Sequence, residues 1–291
     1  MEIDAISNSL RVTALVRQAK TGAERTADQF YTKPEVAKWC LGILADYLTA
    51  QAVTADIYVE PSAGTGSFYD LLPANKLGFD IEPKADGICE GNFLNQALDF
   101  NNAITVGNPP FGKNSSLAIK FFNHAAGFSR IIAMIFPRTF IKISVQNRLD
   151  ANFHLEVEQL LNPNSFLFCG RDYRVPCVFQ IWVKKSTQRP RVGGELEDND
   201  FRFVERSMGK FAIQRVGVNA GRVKEITDSI ASASHYFLAS TDEVRAAFEC
   251  MWQQGAYQGC KYNTSGNPSI SKRELLSAYR EFRVTSSVRR R

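Results

Sequence analysis

Apolar residues along this chain fall into short runs separated by Gly, Pro and polar clusters, and the runs change period as they go. After Pro34, EVAKWCLGILADYL spaces its apolar positions three and four apart, which predicts a helix with Pro in its first turn. Ile57-Tyr58-Val59 predicts a short buried strand that ends in EPSAGTGSF, with a helix expected to follow. Leu77-Gly78-Phe79-Asp80-Ile81 predicts a second strand, and Ala103 to Gly107 a third that ends in NPPF. A helix from about Leu117 to Ala126 leads into the strongest strand, IIAMIF, which stops at Pro137. His154 to Leu161 and Cys177 to Val183 predict two more strands. Met1 to Arg25 mixes polar and apolar positions and reads as one amphipathic helix.

Strand and helix in repeated short units imply a mostly parallel sheet with helices on both faces. In such sheets ligands sit beyond the carboxyl ends of the strands, at the switch point in strand order. EPSAGTG, the end of DIEP and NPPF all fall at such ends, so one cleft is expected to hold them together. After Lys185 the character changes: STQRPRVGGELEDND reads as a linker or long loop, and the rest is more polar and ends in Arg289-Arg290-Arg291. The expected division is an N-terminal extension over 1–23, a main domain over 24–185 and a C-terminal extension over 186–291.

Composition narrows this only a little. With 44% apolar, 22% charged and 11% aromatic residues the chain is that of an ordinary globular protein. Its net charge of +5 permits a phosphate-bearing partner without requiring one. The six cysteines have no metal-ligand spacing among themselves or with His, so no metal is expected and scattered thiols in a reducing compartment are. No secretory leader is visible in MEIDAISNSL, and the most apolar run is far too short to span a bilayer, so a soluble cytoplasmic protein without membrane partners is expected.

The chemistry lies in two loops. In Glu60-Pro61-Ser62-Ala63-Gly64-Thr65-Gly66, Gly64 and Gly66 let the backbone turn tightly and approach a ligand, although a tight turn alone also needs glycine. The phosphate loop of nucleoside triphosphate enzymes is absent. Asp80, at the end of the next strand, is placed to accept hydrogen bonds from ribose hydroxyls. In Asn108-Pro109-Pro110-Phe111, two prolines after a strand fix the backbone and leave carbonyls without local amide partners. The Asn108 side-chain oxygen and the Pro109 carbonyl are then both available to one NH2 group. Such a pair suits an aromatic amine, whose lone pair is delocalised until two acceptors draw the nitrogen toward a tetrahedral geometry. Phe111 offers a face for stacking a base.

Residues 29–184 resemble the amino-methyltransferases of the N6-adenine class, in the order with cofactor motifs before the catalytic one. Gln29-Phe30-Tyr31-Thr32-Lys33-Pro34 is similar to the family's first cofactor motif, EPSAGTG to its glycine loop, GFDIEP to its acidic strand end and NPPF to its catalytic tetrapeptide. The resemblance implies a Rossmann-like α/β domain that binds S-adenosylmethionine through Tyr31, Thr32, Glu60, Pro61, Ala63, Gly64, Gly66, Asp80, Ile81, Asn92 and Phe93. It implies transfer of a methyl group to the N6 amine of adenine in DNA, with the base flipped onto Asn108, Pro109, Pro110 and Phe111. Asn92 stands where the family has Asp; its amide oxygen still accepts, so cofactor binding is expected to survive. A second stacking aromatic is expected in NPNSFLFCGRDYRVP, where Phe166, Phe168 and Tyr173 are each equally core residues and Tyr173 is the candidate. Arg171 and Arg174 in that loop are candidates for phosphate contacts. The C-terminal extension is expected, by resemblance, to recognise the target.

Three other readings remain open at this stage. N-P-P-[FY] also serves methylation of a protein glutamine, although the N-terminal helical domain of that family is not in the sequence. Adenine in RNA would use the same site. A catalytically silent nucleic-acid-binding partner subunit is the third, against which an intact NPPF and an intact glycine loop both stand.

Overall fold

The computed structural model describes residues 30–191, 196, 198–264 and 266–288. The helix expected over Met1 to Arg25, Gln29 of the first motif and Arg289 to Arg291 lie outside them.

The described chain opens with β1 (Tyr31–Thr32) and α1 (Pro34–Ala50). Pro34 sits in the first turn, where an amide proton would have no partner, and Ala37, Cys40 and Leu44 form the buried stripe. There follow β2 (Ile57–Glu60), β3 (Lys76–Asp80), β4 (Cys89–Glu90), β5 (Ala103–Gly107), α2 (Ser116–Ala126), β6 (Ser129–Pro137) and α3 (Ile143–Gln146). Next come β7 (Phe153–Leu160), the short strands β8 (Phe166–Phe168) and β9 (Arg171–Tyr173), and β10 (Cys177–Lys184).

Seven of these strands form one sheet in the order β4-β3-β2-β5-β6-β10-β7. The pairs β2 with β3, β3 with β4, β2 with β5, and β5 with β6 are parallel. This is the Rossmann-like doubly wound order, with the last strand inserted beside the fifth. Every residue of β5 is buried and β6 is buried throughout apart from Arg130, as parallel strands covered on both faces require. The chain runs outward from β2 through β3 to β4, then returns to lay β5 on the other side of β2. The switch point therefore lies between β2 and β5, whose C-terminal ends carry the glycine loop and NPPF.

One expectation fails here. No α-helix follows the glycine loop; a single 3₁₀ turn over Tyr69–Leu71 is all that forms. Only six residues separate Gly66 from Pro73, too few for a stable helix before proline ends it.

β1, β8 and β9 form a separate three-stranded antiparallel sheet. Cys169 and Gly170 both take positive φ, 49° and 72°, in the tight turn that joins β8 to β9. The Lys33 ammonium pairs with Asp172 at 2.9 Å, a second tie between the chain after β1 and this hairpin.

The chain divides into two compact units. The first holds described residues 30–136, 153–175 and 179–185; the second holds 137–152, 176–178 and the described residues from 186 onward. The second unit contains a four-stranded antiparallel sheet of β11 (Phe201–Val204), β14 (His235–Ser240), β12 (Phe211–Gln214) and β13 (Val223–Lys224), in that spatial order. With it go α4 (Asp242–Gln253), the short α5 (Gln258–Lys261) and α6 (Lys272–Val288). Phe201, Phe211, Leu238, Phe248, Met251, Leu275 and Tyr279 form its own apolar core. Ser271 and Glu274 cap α6 reciprocally, each accepting from the other's amide at 3.2 and 2.8 Å. No described helix is long and apolar enough to cross a membrane.

Candidate active site

The glycine loop leaves β2 after Glu60 and needs its glycines for conformation. Gly64 and Gly66 take φ of +52° and +84°, a region that side chains strain to enter. A Cβ on Gly64 would stand 3.0 Å from the Tyr31 ring, and one on Gly66 2.9 Å from the Asp70 carboxylate. The loop is fastened at three points, two on β3 and one on the turn that follows it. Ala63 donates to the Phe79 carbonyl at 2.8 Å, the Gly64 amide donates to Asp80 Oδ2 at 2.7 Å, and the Gly64 carbonyl accepts from Lys84 at 2.9 Å. Asp80 Oδ1 accepts from the Glu82 amide at 2.9 Å. Both oxygens of the expected ribose ligand thus already shape the backbone, each keeping a further lone pair.

Beyond β4, the Asn92 side-chain oxygen accepts from the Leu94 amide at 3.0 Å and caps the 3₁₀ turn Phe93–Asn95. Asn92 is therefore a turn former as well as a cavity residue. Phe93 is buried behind it against the rings of Phe121, His124 and Phe128.

At the end of β5, the Asn108 carbonyl accepts from Ser62 Oγ at 2.9 Å, which joins NPPF to the glycine loop. Sequence reasoning gave Ser62 no role. Asn108 Oδ1 is buried and has no hydrogen-bond partner. Thr32 Oγ1 and Glu60 Oε2 share that condition. All three residues line one cavity, together with Tyr31, Gly64, Asp80, Asn92 and Pro109. A buried polar atom without a partner costs about 1–3 kcal/mol. Three of them converging on one cavity mark a place where a polar ligand completes the bonding. Glu60 is only 2% exposed. Burial pushes its carboxyl well above the usual range, with Asp80 and Asp70 adding to the shift and a Tyr69 amide bond and Lys76 opposing it.

The structure brings Pro61, Ala63, Ile81, Phe93 and Pro110 to the same cavity. Phe111 and Tyr173 are not among its lining residues, and Phe111 is only 6% exposed. Phe30 does line it, and its ring meets Phe111, Phe166 and Tyr173 at centroid distances of 5.3, 5.4 and 5.5 Å. Its place beside Tyr31 was the one available hint, and nothing in the sequence pairs it with an aromatic some eighty residues on. Arg171 and Arg174 are exposed. Among the described residues no group of three or more His, Cys, Asp or Glu is arranged to hold a metal.

No protein-family model matches the chain, and no curated protein sequence does. Among solved structures the chain is similar to a protein described as a candidate RNA methyltransferase from Pyrococcus horikoshii, at 15% identity. That match covers 56% of this chain and 90% of the other, with a TM-score of 0.43. The modification subunit of a candidate type I restriction enzyme from Vibrio vulnificus is 14% identical over 84% of this chain and 62% of its own, with a TM-score of 0.41. The 23S rRNA methyltransferase ErmE is 15% identical over 57% of this chain and 73% of its own, with a TM-score of 0.39.

Proposed function

We propose that the chain is an S-adenosylmethionine-dependent methyltransferase acting on the exocyclic N6 amine of adenine in DNA. The observation that carries this reading is Asn108 Oδ1, buried, unpartnered, and lining the same cavity as the glycine loop.

The residues present fit the cofactor. Gly64 lines the cavity, Gly66 shapes the loop without lining it, and Glu60 Oε2 and Thr32 Oγ1 await polar partners. Asp80 would take the ribose, and Asn92 and Phe93 the adenine end. When bound, S-adenosylmethionine supplies a methyl group on a sulfonium, a good leaving group. Asn108 and the Pro109 carbonyl hold the two N–H bonds of the acceptor amine and draw its lone pair out of the ring. Ser62 Oγ donates to the Asn108 carbonyl, which holds the backbone of NPPF against the glycine loop and leaves the side-chain oxygen open for that task. Both acceptors would bind an amine that is gaining positive charge more strongly than the neutral amine. One proton then passes from the amine to water. Orientation and preorganised charge supply most of the rate.

A nucleic-acid acceptor is supported by charge distribution. Residues 137–152, 176–178 and 186–291 hold 20 basic and 13 acidic residues, whereas the remainder holds 15 and 17. The second unit thus carries all the net positive charge, the balance expected of a surface that meets phosphates. The test is incubation with methyl-labelled cofactor and, separately, duplex DNA, single-stranded DNA, RNA and protein acceptors, followed by identification of the labelled residue. N6-methyladenine in DNA is the expected product; label appearing only in protein glutamine or only in RNA overturns the assignment.

A further inference from the structure

Phe30 directly precedes β1 and is half-buried. Its ring stands edge-on to Phe111 at 66° and tilted by 33° against Tyr173. It also reaches the cavity that holds Asn108 and Pro109. The two rings expected to take an acceptor base between them are therefore both already in contact with a third. The backbone after it is pinned, since Tyr31 and Thr32 pair with Leu167 and Phe166, and Lys33 pairs with Asp172. A change at this position is a rotation of one side chain with two torsions.

Resting on the adenine reading above, we propose that Phe30 is a placeholder that fills the acceptor slot between Phe111 and Tyr173 and turns out when a base enters. An apolar slot left open forfeits its dispersion contacts, and a phenyl ring restores them. A planar base replaces that ring nearly contact for contact, so the exchange is close to balanced. An aliphatic amide side chain does not restore the stacking that Phe30 gives up. Phe30 thereby sets specificity, admitting flat aromatic acceptors and disfavouring others.

The full chain, saturated with S-adenosylhomocysteine, is titrated with a short single-stranded oligodeoxynucleotide carrying one 2-aminopurine among thymines, read by fluorescence. Removing the placeholder removes the cost of displacing it, so Phe30→Ala is expected to bind this probe about tenfold more tightly, with Phe30→Leu in between. Thermal unfolding shows that each variant is folded, and a separate titration sets the S-adenosylhomocysteine concentration that saturates each before the probe is added. In the parent carrying 4-fluorophenylalanine at position 30, the fluorine resonance should move on adding the probe and not on adding S-adenosylhomocysteine alone. Equal or weaker probe binding by Phe30→Ala, or an unmoved resonance while the probe binds, overturns the placeholder and leaves the methyltransferase reading standing. Failure of the parent and both variants to bind the probe, with no adenine acceptor methylated, overturns both.

Discussion

The amide of Gly64 donates a 2.7 Å hydrogen bond to the carboxylate of Asp80. The acid at the end of β3 therefore holds the glycine loop at the end of β2 in place before it meets any ligand. Loop shape is one task of this side chain, and the proposed function gives it ligand contact as a second.

Asp80→Ala is accordingly expected to lower stability by ~1–2 kcal/mol even without cofactor, the scale for a hydrogen bond to a charged group in a part-buried setting. Cofactor affinity should fall as well, by more than the Asp80→Asn variant loses. Urea unfolding and calorimetric titration separate the two effects. Unchanged stability in the alanine variant would show that the loop holds its shape unaided.

On the proposed function, Asn108→Ala removes one of two acceptors for the target amine, a contact that strengthens as nitrogen becomes tetrahedral and positive. The loss should appear in the rate constant, by ~100-fold or more, with cofactor affinity nearly unchanged. Single-turnover methylation of an adenine oligonucleotide measures it. Near-normal turnover would make NPPF a structural turn.

Gly66→Ala places a methyl 2.9 Å from the Asp70 carboxylate at a φ of +84°. The backbone cost alone is ~1–2 kcal/mol. Adding Asp70→Ala should recover the part due to crowding and none of the part due to φ. Full recovery in the double variant would mean that the loop does not demand left-handed backbone.

Burial keeps the Glu60 carboxyl protonated above its ordinary 4.5, so the folded chain holds a proton that the unfolded chain releases. The stability contributed by that proton is complete below the unfolded value and declines as pH rises above it. Glu60→Gln cannot ionise and should lack this part of the decline. Urea midpoints at about pH 5 and about pH 8, without cofactor, should diverge for the parent more than for the variant. Identical pH dependence would show that Glu60 ionises freely in the folded state.

β2, β3, β5 and β6 were legible because each is a mostly apolar run closed by Gly, Pro or an acid, and the loops at their ends carry the candidate chemistry. The two exposed residues of β4 gave no such signal. The hairpin of β8 and β9 was not, since Phe-Leu-Phe and Arg-Asp-Tyr are three residues each and acquire meaning only by pairing with two-residue β1. The sheet of the second unit hid for a similar reason: β11 and β12 are four residues long, and their register is set by β14 rather than by local pattern. The helix expected after the glycine loop was read from a familiar order of elements; chain length between Gly66 and Pro73 decided otherwise. Tyr31 was readable as a cavity residue from its motif, whereas the neighbouring Phe30 depends on contacts with Phe111 and Phe166 that only the fold creates.

Residues 137–152 come between β6 and β7 in the chain, yet they belong with the unit completed near the C-terminus. Lys142 waits for Glu274, 132 positions on, and Arg138 for Asn263, 125 positions on. At ~5–20 residues per second, a ribosome needs several seconds to deliver those partners. Through that interval the Lys142 ammonium and the Arg138 guanidinium lack those partners on the nascent chain. A chain cut after residue 185 would lack both partners for good, and the 137–152 segment would keep its place in sequence without the unit to which it belongs.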